Sequence, residues 1–528
     1  MFDIILSGGT IIDGTRAIPY KADVCIKDGK IAKIAENVME ESAEKVDISG
    51  LAVSPAFIDI HSHSDLSPLV NYTVESKLAQ GVGTEVTGNC GISCLPSTSE
   101  HKAEVDEYVP VNLELPLYGI DVAKESVSDY AEDVRAHGSS LNYAPLVGHG
   151  TLRLAVMGFV NRDPSQQEME DLKALLAREM ERGAFGMSLG LIYPPSAFSS
   201  KDELIELAKV IAKYDGILAV HMRNEGPRVF QAVDEMIEIT RASGVHLEIS
   251  HLKVMGKPQW GRSGEILAKI DAAKAEGMNI TCDQYPFIAS STSLTALVPH
   301  WAHAGGAEGM MGRLRSKEGT ICEEISQEME NRGGPETILI TSSHGYHPEY
   351  EGKYISDLAK EFGLSFVDTV IKVLLDCETS VACVYFCMDK KDMLNIMSRM
   401  DICTGSDGYS LSYDPQYTKT NPHPRNFATF PEFFKQAREN NLMPIEDAVY
   451  KVTGLPASIL HLHERGIIKV GTVADLTVFD PMKIDSRSTF MDSKIRPIGI
   501  PHVIINGKFA LKDGVITDAR EGKVLMHQ

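Results

Sequence analysis

PAFIDIHSHSD, residues 55–65, is an apolar run that ends in two histidines. His61 and His63 are two positions apart, so on a β-strand their side chains share one face. Two interpretations are open at this point: a metal site at the mouth of a barrel, or the polar end of a buried strand. The residues that end the other strands decide between them.

Strands and helices alternate through the middle of the chain, where short β-branched or small-residue runs are separated by amphipathic segments. Eight strands are predicted to end near Ile60, Asn89, Val147, Leu189, Val220, Ser250, Asp283 and Ser406. Helices are predicted over 164–182, 201–214, 227–243 and 263–276, the first with Asp163 as its N-cap. Eight parallel strands with helices between them predict a (β/α)8 barrel of the TIM type. A doubly wound open sheet is the alternative, but no Gly-rich phosphate loop follows the first strand.

The two ends of the chain have similar patterns. Residues 3–14 and 502–514 read DIILSGGTIIDG and HVIINGKFALKDG, which are short alternating strands broken by Gly or Asp-Gly turns. We expect one small β-sandwich domain built from residues 1–54 and 466–528 beside a catalytic barrel over 55–465. Two unrelated β arms are the alternative.

The connection between the seventh and eighth predicted strands is much longer than the others. It contains two segments that read as strands, ETILITSS and SVACVYF, and a helical stretch over 355–376. A connection of this length typically has its own structure. We therefore predict an inserted subdomain at approximately 287–380, placed so that it could cover the barrel mouth.

Five of the predicted strands end in a potential metal ligand or a carboxylate. These residues are His61 and His63 on the first strand, Cys90 on the second, His221 on the fifth, His251 on the sixth and Asp407 on the eighth. A single histidine at a strand end is usually satisfied by a carbonyl group. In a barrel, however, all of these ends meet at one rim, where chemistry is built. Imidazole and thiolate groups suit zinc, so the joint placement predicts a zinc site.

Composition limits the possible partners and compartments. The chain of 528 residues has a formal net charge of −22. A field of that sign repels nucleic acid and anionic membrane, so the expected partner is a small molecule. The start, MFDIILSGGT, has no signal-peptide pattern, and no apolar run is long enough to span a membrane. Nine scattered cysteines, an odd number, indicate reduced thiols and a cytoplasmic setting.

Several blocks of the sequence resemble the amidohydrolase superfamily and, within it, the N-acyl-D-amino-acid deacylases. SPAFIDIHSHSD resembles the metal motif of the superfamily's first strand, and TGNCG is particular to the deacylases. The further blocks, in the family's order, are GMSLGLIYPPSAF, HMRNEG, EISHLK, CDQYPF, and GSDG followed by PHPR. GIIKVGTVADLTVFD is similar to the superfamily's return strand into the β domain.

The resemblance implies a particular metal site. Cys90, His221 and His251 would hold one tight zinc ion, while His61 and His63 would share Cys90 in a second, weaker or partly filled site. Most relatives bridge two metals with a carboxylated lysine from the fourth strand. That strand is GAFGMSLGL in this chain and has no lysine, so the Cys90 thiolate would replace it.

The resemblance also implies hydrolysis of the amide bond of N-acyl-D-amino acids. Asp407 would act as general base and then general acid while metal-bound water attacks the carbonyl. Lys253, Tyr285 and Arg425 would bind the substrate carboxylate. Selectivity for the D isomer rests on the resemblance alone.

Residues 290–301, SSTSLTALVPHW, are mostly apolar and contain no basic residue. They lead us to expect uncharged D side chains in preference to D-glutamate or D-aspartate. Two other functions are open: a cyclic amidase or dipeptidase-type amidohydrolase, and a non-catalytic protein on the same scaffold.

Four further residues near the expected site have supporting or structural roles in this interpretation. Arg223 and Glu225 are expected either to pair with each other or to lie behind the ligands. His149 is either a hydrogen-bond donor to the site or a structural strand end. Cys94 is expected to be a packing residue.

Overall fold

A closed ring of parallel strands lies at the centre of the protein, with a β-sandwich on one side and an insertion at its mouth. The computed structural model describes residues 1–112 and 120–527. The strands are β1 (Phe2–Ser7), β2 (Thr10–Ile11), β3 (Tyr20–Lys21), β4 (Asp23–Lys27), β5 (Lys30–Ala35), β6 (Ser42–Asp47), β7 (Ala52–Pro55), β8 (Phe57–Asp59), β9 (Val82–Thr87), β10 (Asn142–Pro145), β11 (Val147–Gly148), β12 (Gly186–Gly190), β13 (Ile217–His221), β14 (His246–Ile249), β15 (Ile280–Gln284), β16 (Ser290–Ser293), β17 (Ile338–Ser342), β18 (Ala382–Tyr385), β19 (Ile402–Thr404), β20 (Leu476–Phe479), β21 (His502–Ile505), β22 (Lys508–Lys512) and β23 (Val515–Ile516).

Helices separate the central strands and cover the outside of the ring. They are α1 (Ser67–Val70), α2 (Glu75–Leu78), α3 (Lys102–Asn112), α4 (Val127–His137), α5 (His149–Met157), α6 (Gln166–Glu181), α7 (Lys201–Lys213), α8 (Val229–Ser243), α9 (Ser263–Ala275), α10 (Gly306–Ser316), α11 (Ile321–Asn331), α12 (Ile355–Phe362), α13 (Phe366–Asp376), α14 (Lys390–Met397), α15 (Arg425–Glu439), α16 (Ile445–Lys451) and α17 (Gly454–Ile459). Within the described ranges, no helix combines the length and apolarity that crossing a membrane requires.

The ring is a (β/α)8 barrel. β8, β9 and β10 pair in parallel, and β11 to β15 continue in parallel to β19. Only one residue separates β10 from β11, so the two act as one broken strand. A parallel bridge between Ser62 and Gly408 joins the first strand to the last. The predicted barrel is therefore confirmed, and the open-sheet alternative is wrong.

Two helix predictions need correction. α6 begins after Ser165, not after Asp163, because Ser165 and Glu168 form a reciprocal capping box. The helical stretch over 355–376 is two helices. Gly363 takes the left-handed conformation with φ 66°, and the Ser365 side chain caps the start of α13.

The terminal strands form a β-sandwich. One sheet, β5-β4-β1-β6, comes from the start of the chain, whereas the other, β23-β22-β21-β20-β7-β2-β3, combines both ends. β20 pairs with β7 on one side and β21 on the other. Buried residues of both sheets, such as Ile4, Val53 and Leu476, pack into one apolar core. The alternative of two unrelated β arms is therefore wrong, while the domain boundaries stay a prediction.

The connection between β15 and β19 has a sheet and a core of its own. β16 and β17 both pair antiparallel with β18. Helices α10 to α13 contribute to a second apolar cluster, which includes Leu314, Ile325 and Leu374. β18, at Ala382–Tyr385, belongs to this sheet and lies just beyond the approximate end predicted for the insertion.

Candidate active site

The residues predicted as ligands lie together at the carboxyl end of the barrel. His61 and His63 follow β8, Cys90 follows β9, His221 ends β13, His251 follows β14, and Asp407 follows β19. All six are at most 7% exposed. Because each strand delivers its side chains to the same rim, residues far apart in the chain converge there.

The Cys90 thiol is the centre of this group. Its Sγ lies 3.4 Å from His61 Nε2, 3.5 Å from His251 Nε2 and 3.7 Å from His221 Nδ1. Zinc bound tetrahedrally to one sulfur and one nitrogen, at ordinary bond lengths, would hold the two atoms about 3.6 Å apart. The spacing and the chemistry of these donors therefore fit a shared zinc ion.

Two overlapping groups of buried side chains have ligand atoms within 4.8 Å of one another: His61, Cys90, His251 and Asp407 in one, and His221, Glu225 and His251 in the other. His251 belongs to both groups. The buried Nδ1 of His63 and Nε2 of His221 have no hydrogen-bond partner within the described part of the chain. Clusters of electron-pair donors with unsatisfied nitrogen atoms are typical of a cation site.

The backbone is strained where it delivers three of these side chains. Cys90, His251 and Asp407 have φ angles of 53°, 38° and 51°, in the left-handed region that favours glycine. Such conformations persist at functional sites when the surrounding structure imposes them. Gly190 of β12 permits the turn at Cys90, because a Cβ at position 190 would meet the Cys90 carbonyl oxygen at 1.9 Å.

Two carboxylates orient the histidines: Asp283, which sequence reasoning did not assign to the site, and Glu225, for which a place behind the ligands was one of two alternatives. Asp283 Oδ2 lies 3.1 Å from His61 Nδ1, and Asp283 Oδ1 accepts the backbone N–H of His251 at 2.8 Å. Glu225 Oε1 lies 2.9 Å from His251 Nδ1. A carboxylate behind a ligating histidine fixes the orientation and basicity of the ring. Two sequence features could have indicated these roles: Asp283 is at the end of a predicted strand, and Glu225 lies four residues after His221.

The charged and polar groups around Cys90 favour its ionised form, the thiolate. Burial alone would raise the pKa of its thiol. The positive charge of His61 and hydrogen bonds from His221 and His251 outweigh burial and bring the pKa well below its ordinary value. A thiolate is the form that binds metal.

Asp407 is held in its ionised form. Its Oδ2 lies 2.5 Å from Arg425 Nη1, and its Oδ1 lies 3.0 Å from His63 Nε2 and 3.4 Å from His61 Nε2. Burial would raise the pKa of this carboxyl, but Arg425 and the His251 imidazole outweigh it and hold the pKa well below its ordinary value. The carboxylate is therefore unprotonated, which is the form that can accept a proton.

The three candidates for the substrate carboxylate line one small cavity of about 90 Å³ with Cys90 and Asp407. Lys253 Nζ donates to Glu225 Oε1 at 2.5 Å. The Tyr285 hydroxyl is buried, and it has no hydrogen-bond partner among the described residues. The guanidinium of Arg425 lies 5.3 Å from the centre of the Tyr285 ring.

Other polar residues lie outside this group. His149 binds Ser196 and Glu203 through its two ring nitrogens, so it is a structural residue and not a donor to the site. Arg223 pairs with Glu235 at 3.2 Å, so its predicted pairing with Glu225 is wrong. Cys94 is buried in the main apolar core, as expected.

The fold and the site together define a metal-dependent hydrolase of the amidohydrolase class, and comparison with known proteins agrees. A family model described as "Amidohydrolase family" matches residues 403–510. A D-aminoacylase from Alcaligenes xylosoxydans xylosoxydans is 35% identical over 99% of this chain and 97% of its own length. Within the amidohydrolases, the chain therefore belongs to the N-acyl-D-amino-acid deacylase family.

Solved structures show the same similarity. The N-acyl-D-glutamate deacylase of Bordetella bronchiseptica, complexed with zinc and a phosphonate that mimics the tetrahedral intermediate, superposes with a TM-score of 0.84 at 32% identity, covering 99% of both chains. A D-aminoacylase structure described by its binuclear metal center superposes with a TM-score of 0.83 at 35% identity, covering 100% of both chains.

Proposed function

We propose that the protein hydrolyses the amide bond of N-acyl-D-amino acids and releases a carboxylate and a free D-amino acid. The observation that carries this proposal is the convergence of three imidazole nitrogens on the Cys90 thiol, at 3.4 to 3.7 Å. That arrangement supports a metal-dependent hydrolase. The similarity to D-aminoacylase and N-acyl-D-glutamate deacylase supports the substrate class.

Zinc is the proposed cofactor, since thiolate and imidazole ligands suit it. Cys90, His221 and His251 would hold the tighter ion, and His61 and His63 would form a weaker site that shares the thiolate. When bound, zinc polarises a carbonyl group and lowers the pKa of a water molecule to about 7.

Asp407 is the proposed general base and acid. It is buried, it lies beside His61 and His63, and Arg425 keeps it ionised. It would take a proton from the attacking water and pass it to the nitrogen of the leaving amine.

Lys253, Tyr285 and Arg425 would hold the α-carboxylate of the substrate. Lysine has three donors and arginine five, so both residues can keep their present carboxylate partners and still bind a second one. The Tyr285 hydroxyl, buried without a partner among the described residues, is free to donate to the same group. These contacts would orient the scissile amide relative to Asp407.

We further propose that the preferred D side chains are uncharged. Of the cations that line the small cavity, Lys253 pairs with Glu225, and Arg425 pairs with Asp407. A third, Arg332, pairs with Glu328 at 2.8 Å. Once Lys253 and Arg425 also hold the α-carboxylate, an acidic side chain would have to share a cation that already has a carboxylate partner. Comparable kcat/KM values for N-acetyl-D-glutamate and N-acetyl-D-leucine would contradict this preference.

A reducing, cytoplasmic setting is also proposed. All nine cysteines are free thiols, and eight of them are buried. Cys90 in particular must stay reduced to bind metal, since a disulfide has no thiolate to donate.

The deciding experiment is a panel of N-acetyl-D- and N-acetyl-L-amino acids, with hydantoin and dihydroorotate added for comparison. Wild-type protein, Cys90→Ala and Asp407→Ala are assayed at matched zinc concentration. We expect the wild type to release free D-amino acids, and both variants to lose most turnover while their circular dichroism spectra stay unchanged.

The panel also separates the competing functions. Faster cleavage of the cyclic amides than of any N-acetyl-D-amino acid would favour a cyclic amidase. A purified protein without zinc and without activity after zinc is added would indicate a non-catalytic scaffold. Near-normal rates for either variant would contradict the role assigned to that residue.

A further inference from the structure

A large cavity adjoins the small one at the site. Its volume is about 880 Å³, compared with about 90 Å³ for the cavity around Cys90 and Asp407. The two share wall residues, including Tyr193, His221 and Glu225. A group that starts at the site can therefore continue into the large cavity.

The walls of the large cavity are partly apolar and come from both the barrel and the insertion. Leu154 and Phe159 lie on the barrel side, and Leu297, Val298 and Trp301 lie on the insertion. Cavities of several hundred Å³ with apolar walls and a few polar groups are typical ligand sites. The methyl group of an acetyl substrate is about the size of a water molecule, which occupies about 30 Å³ in the liquid, so it would leave this space almost empty.

The position of the cavity shows which part of the substrate it would receive. Lys253, Tyr285, Arg425 and Asp407 line the small cavity but not the large one. With the α-carboxylate held by the first three, the amine half of the amide lies on their side. The acyl half, on the other side of the scissile carbonyl, would then extend past His221 into the large cavity.

The charge of the walls excludes an anionic acyl group. Among the described residues, six glutamates and three arginines line the cavity. Arg223 pairs with Glu235, and Arg332 pairs with Glu328. Of the described wall residues, this leaves Arg228 and five glutamates, of which Glu225 pairs with Lys253. Burial lowers the pKa of His303 to about 4, so its imidazole adds no positive charge at neutral pH. A second carboxylate at the end of the acyl chain would be repelled.

We propose that this cavity is an acyl-chain site and that the protein prefers a neutral, apolar acyl group much longer than acetyl. The inference rests on the proposed deacylase function and adds the acyl specificity to it.

The first test measures kcat/KM on wild-type protein for acetyl, butyryl, hexanoyl and octanoyl derivatives of D-leucine, with the succinyl derivative as the anionic comparison. A fully buried methylene contributes roughly a fourfold gain in kcat/KM. With incomplete burial we expect octanoyl to exceed acetyl by at least about tenfold, and succinyl to fall below butyryl. A second series keeps the acetyl group and lengthens the D side chain.

The second test places a bulky side chain in the cavity. Ala296 lines it, whereas Ala304, another partly buried alanine of the insertion, does not. We expect Ala296→Phe to lower the octanoyl-to-acetyl ratio of kcat/KM by at least about fivefold, and Ala304→Phe to leave the ratio at the wild-type value. A ratio measured within one variant does not depend on how much of the protein is folded.

Each outcome is decisive. Hydrolysis of the acetyl substrate with no gain on lengthening the acyl chain would overturn the acyl site and leave the proposed function intact. A gain only in the side-chain series would also overturn it, because the cavity would then receive the amino-acid side chain. If no N-acyl-D-amino acid of either series is cleaved, the proposed function fails and the acyl site fails with it.

Discussion

Two buried histidine clusters lie in the same barrel and have different chemistry. The Cys90 cluster comprises His61, His63, Cys90, His221 and His251, whereas the His149 cluster comprises His149, Arg153, Ser196 and Glu203. In the His149 cluster, the histidine nitrogens lie 2.7 Å from Ser196 Oγ and 2.9 Å from Glu203 Oε1. Arg153 Nη1 lies 2.5 Å from the other oxygen of Glu203.

The difference between the clusters is the pairing of atoms, not their burial. In the His149 cluster, both ring nitrogens and both Glu203 oxygens have partners of opposite polarity, and Arg153 Nε is the one cluster atom without a hydrogen-bond partner among the described residues. In the Cys90 cluster, three imidazole nitrogens converge on one sulfur atom, and thiolate and imidazole together are ligands that suit a metal cation. We therefore expect substitutions in the Cys90 cluster to affect catalysis and substitutions in the His149 cluster to affect folding.

Loss of the central thiol is expected to have the largest effect. Cys90→Ala should lower kcat/KM on the order of 10⁴-fold, because the metal's contribution of several kcal/mol to the transition state disappears. Elemental analysis should show a matching loss of zinc. Cys94→Ala is the control, since this buried cysteine lies in the apolar core and should keep full metal content. Wild-type zinc content in Cys90→Ala would contradict the assignment.

The second largest effect is expected for loss of the Asp407 carboxylate beside the Cys90 cluster. Asp407→Asn should lower kcat on the order of 10³-fold with little change in KM, because the amide cannot accept the proton. Zinc content should stay close to that of wild type, which separates this variant from Cys90→Ala. A kcat within tenfold of wild type would show that another group is the base.

A smaller effect is expected when the proposed contact between Arg425 and the substrate carboxylate is removed. Arg425→Met should lower the ratio of kcat/KM for N-acetyl-D-leucine to that for N-acetyl-D-leucinamide by about 10- to 100-fold, as loss of a charged hydrogen bond predicts. The ratio isolates the substrate carboxylate from the effect of Arg425 on Asp407. Arg223→Met, which removes an arginine paired with Glu235, should leave the ratio unchanged. An equal decrease for both substrates would remove Arg425 from carboxylate binding.

The smallest effect on activity is expected in the His149 cluster. Glu203→Gln should leave kcat/KM at 25 °C within about twofold of wild type but destabilise the fold by roughly 3 kcal/mol, because Arg153 is buried and loses its charge partner. Calorimetry should show a lower Tm. The partly exposed pair of Arg223 with Glu235 provides the control, and Glu235→Gln should change Tm much less.

The pH dependence of thermal stability in Glu203→Gln provides a further test. His149 and Arg153 outweigh burial and hold the pKa of Glu203 below its ordinary value of 4.5. The stabilisation by this carboxylate is therefore present above pH 4.5 and is lost as the pH falls through the lower value of the folded state. The Tm values of wild type and Glu203→Gln should converge in acid; a constant difference down to pH 3 would show that charge is not the cause.

Much of the site could be predicted from sequence because strand ends are a local property. An apolar run followed by a polar residue marks the end of a buried strand, and parallel barrel strands all end at one rim. His61, Cys90, His221, His251 and Asp407 needed no distance information to be grouped. Their residue types then indicated a metal.

Other features depended on contacts between distant parts of the chain. Asp283 lies 222 positions from the His61 it orients. Arg223 pairs with Glu235 on the next helix and not with Glu225, which is nearer in sequence. No local pattern distinguishes such partners, because the choice depends on where the helices pack.

The sequence by itself therefore predicted the barrel, a sandwich from both termini and the residues of the Cys90 cluster, since these follow from periodicity and strand order. Only the tertiary structure excluded two separate β arms and showed that His149 has ordinary hydrogen-bond partners instead of facing the site. It alone also revealed the large cavity between barrel and insertion. The physical reason is that hydrogen bonds and cavities act over a few ångströms in space, whatever the separation along the chain.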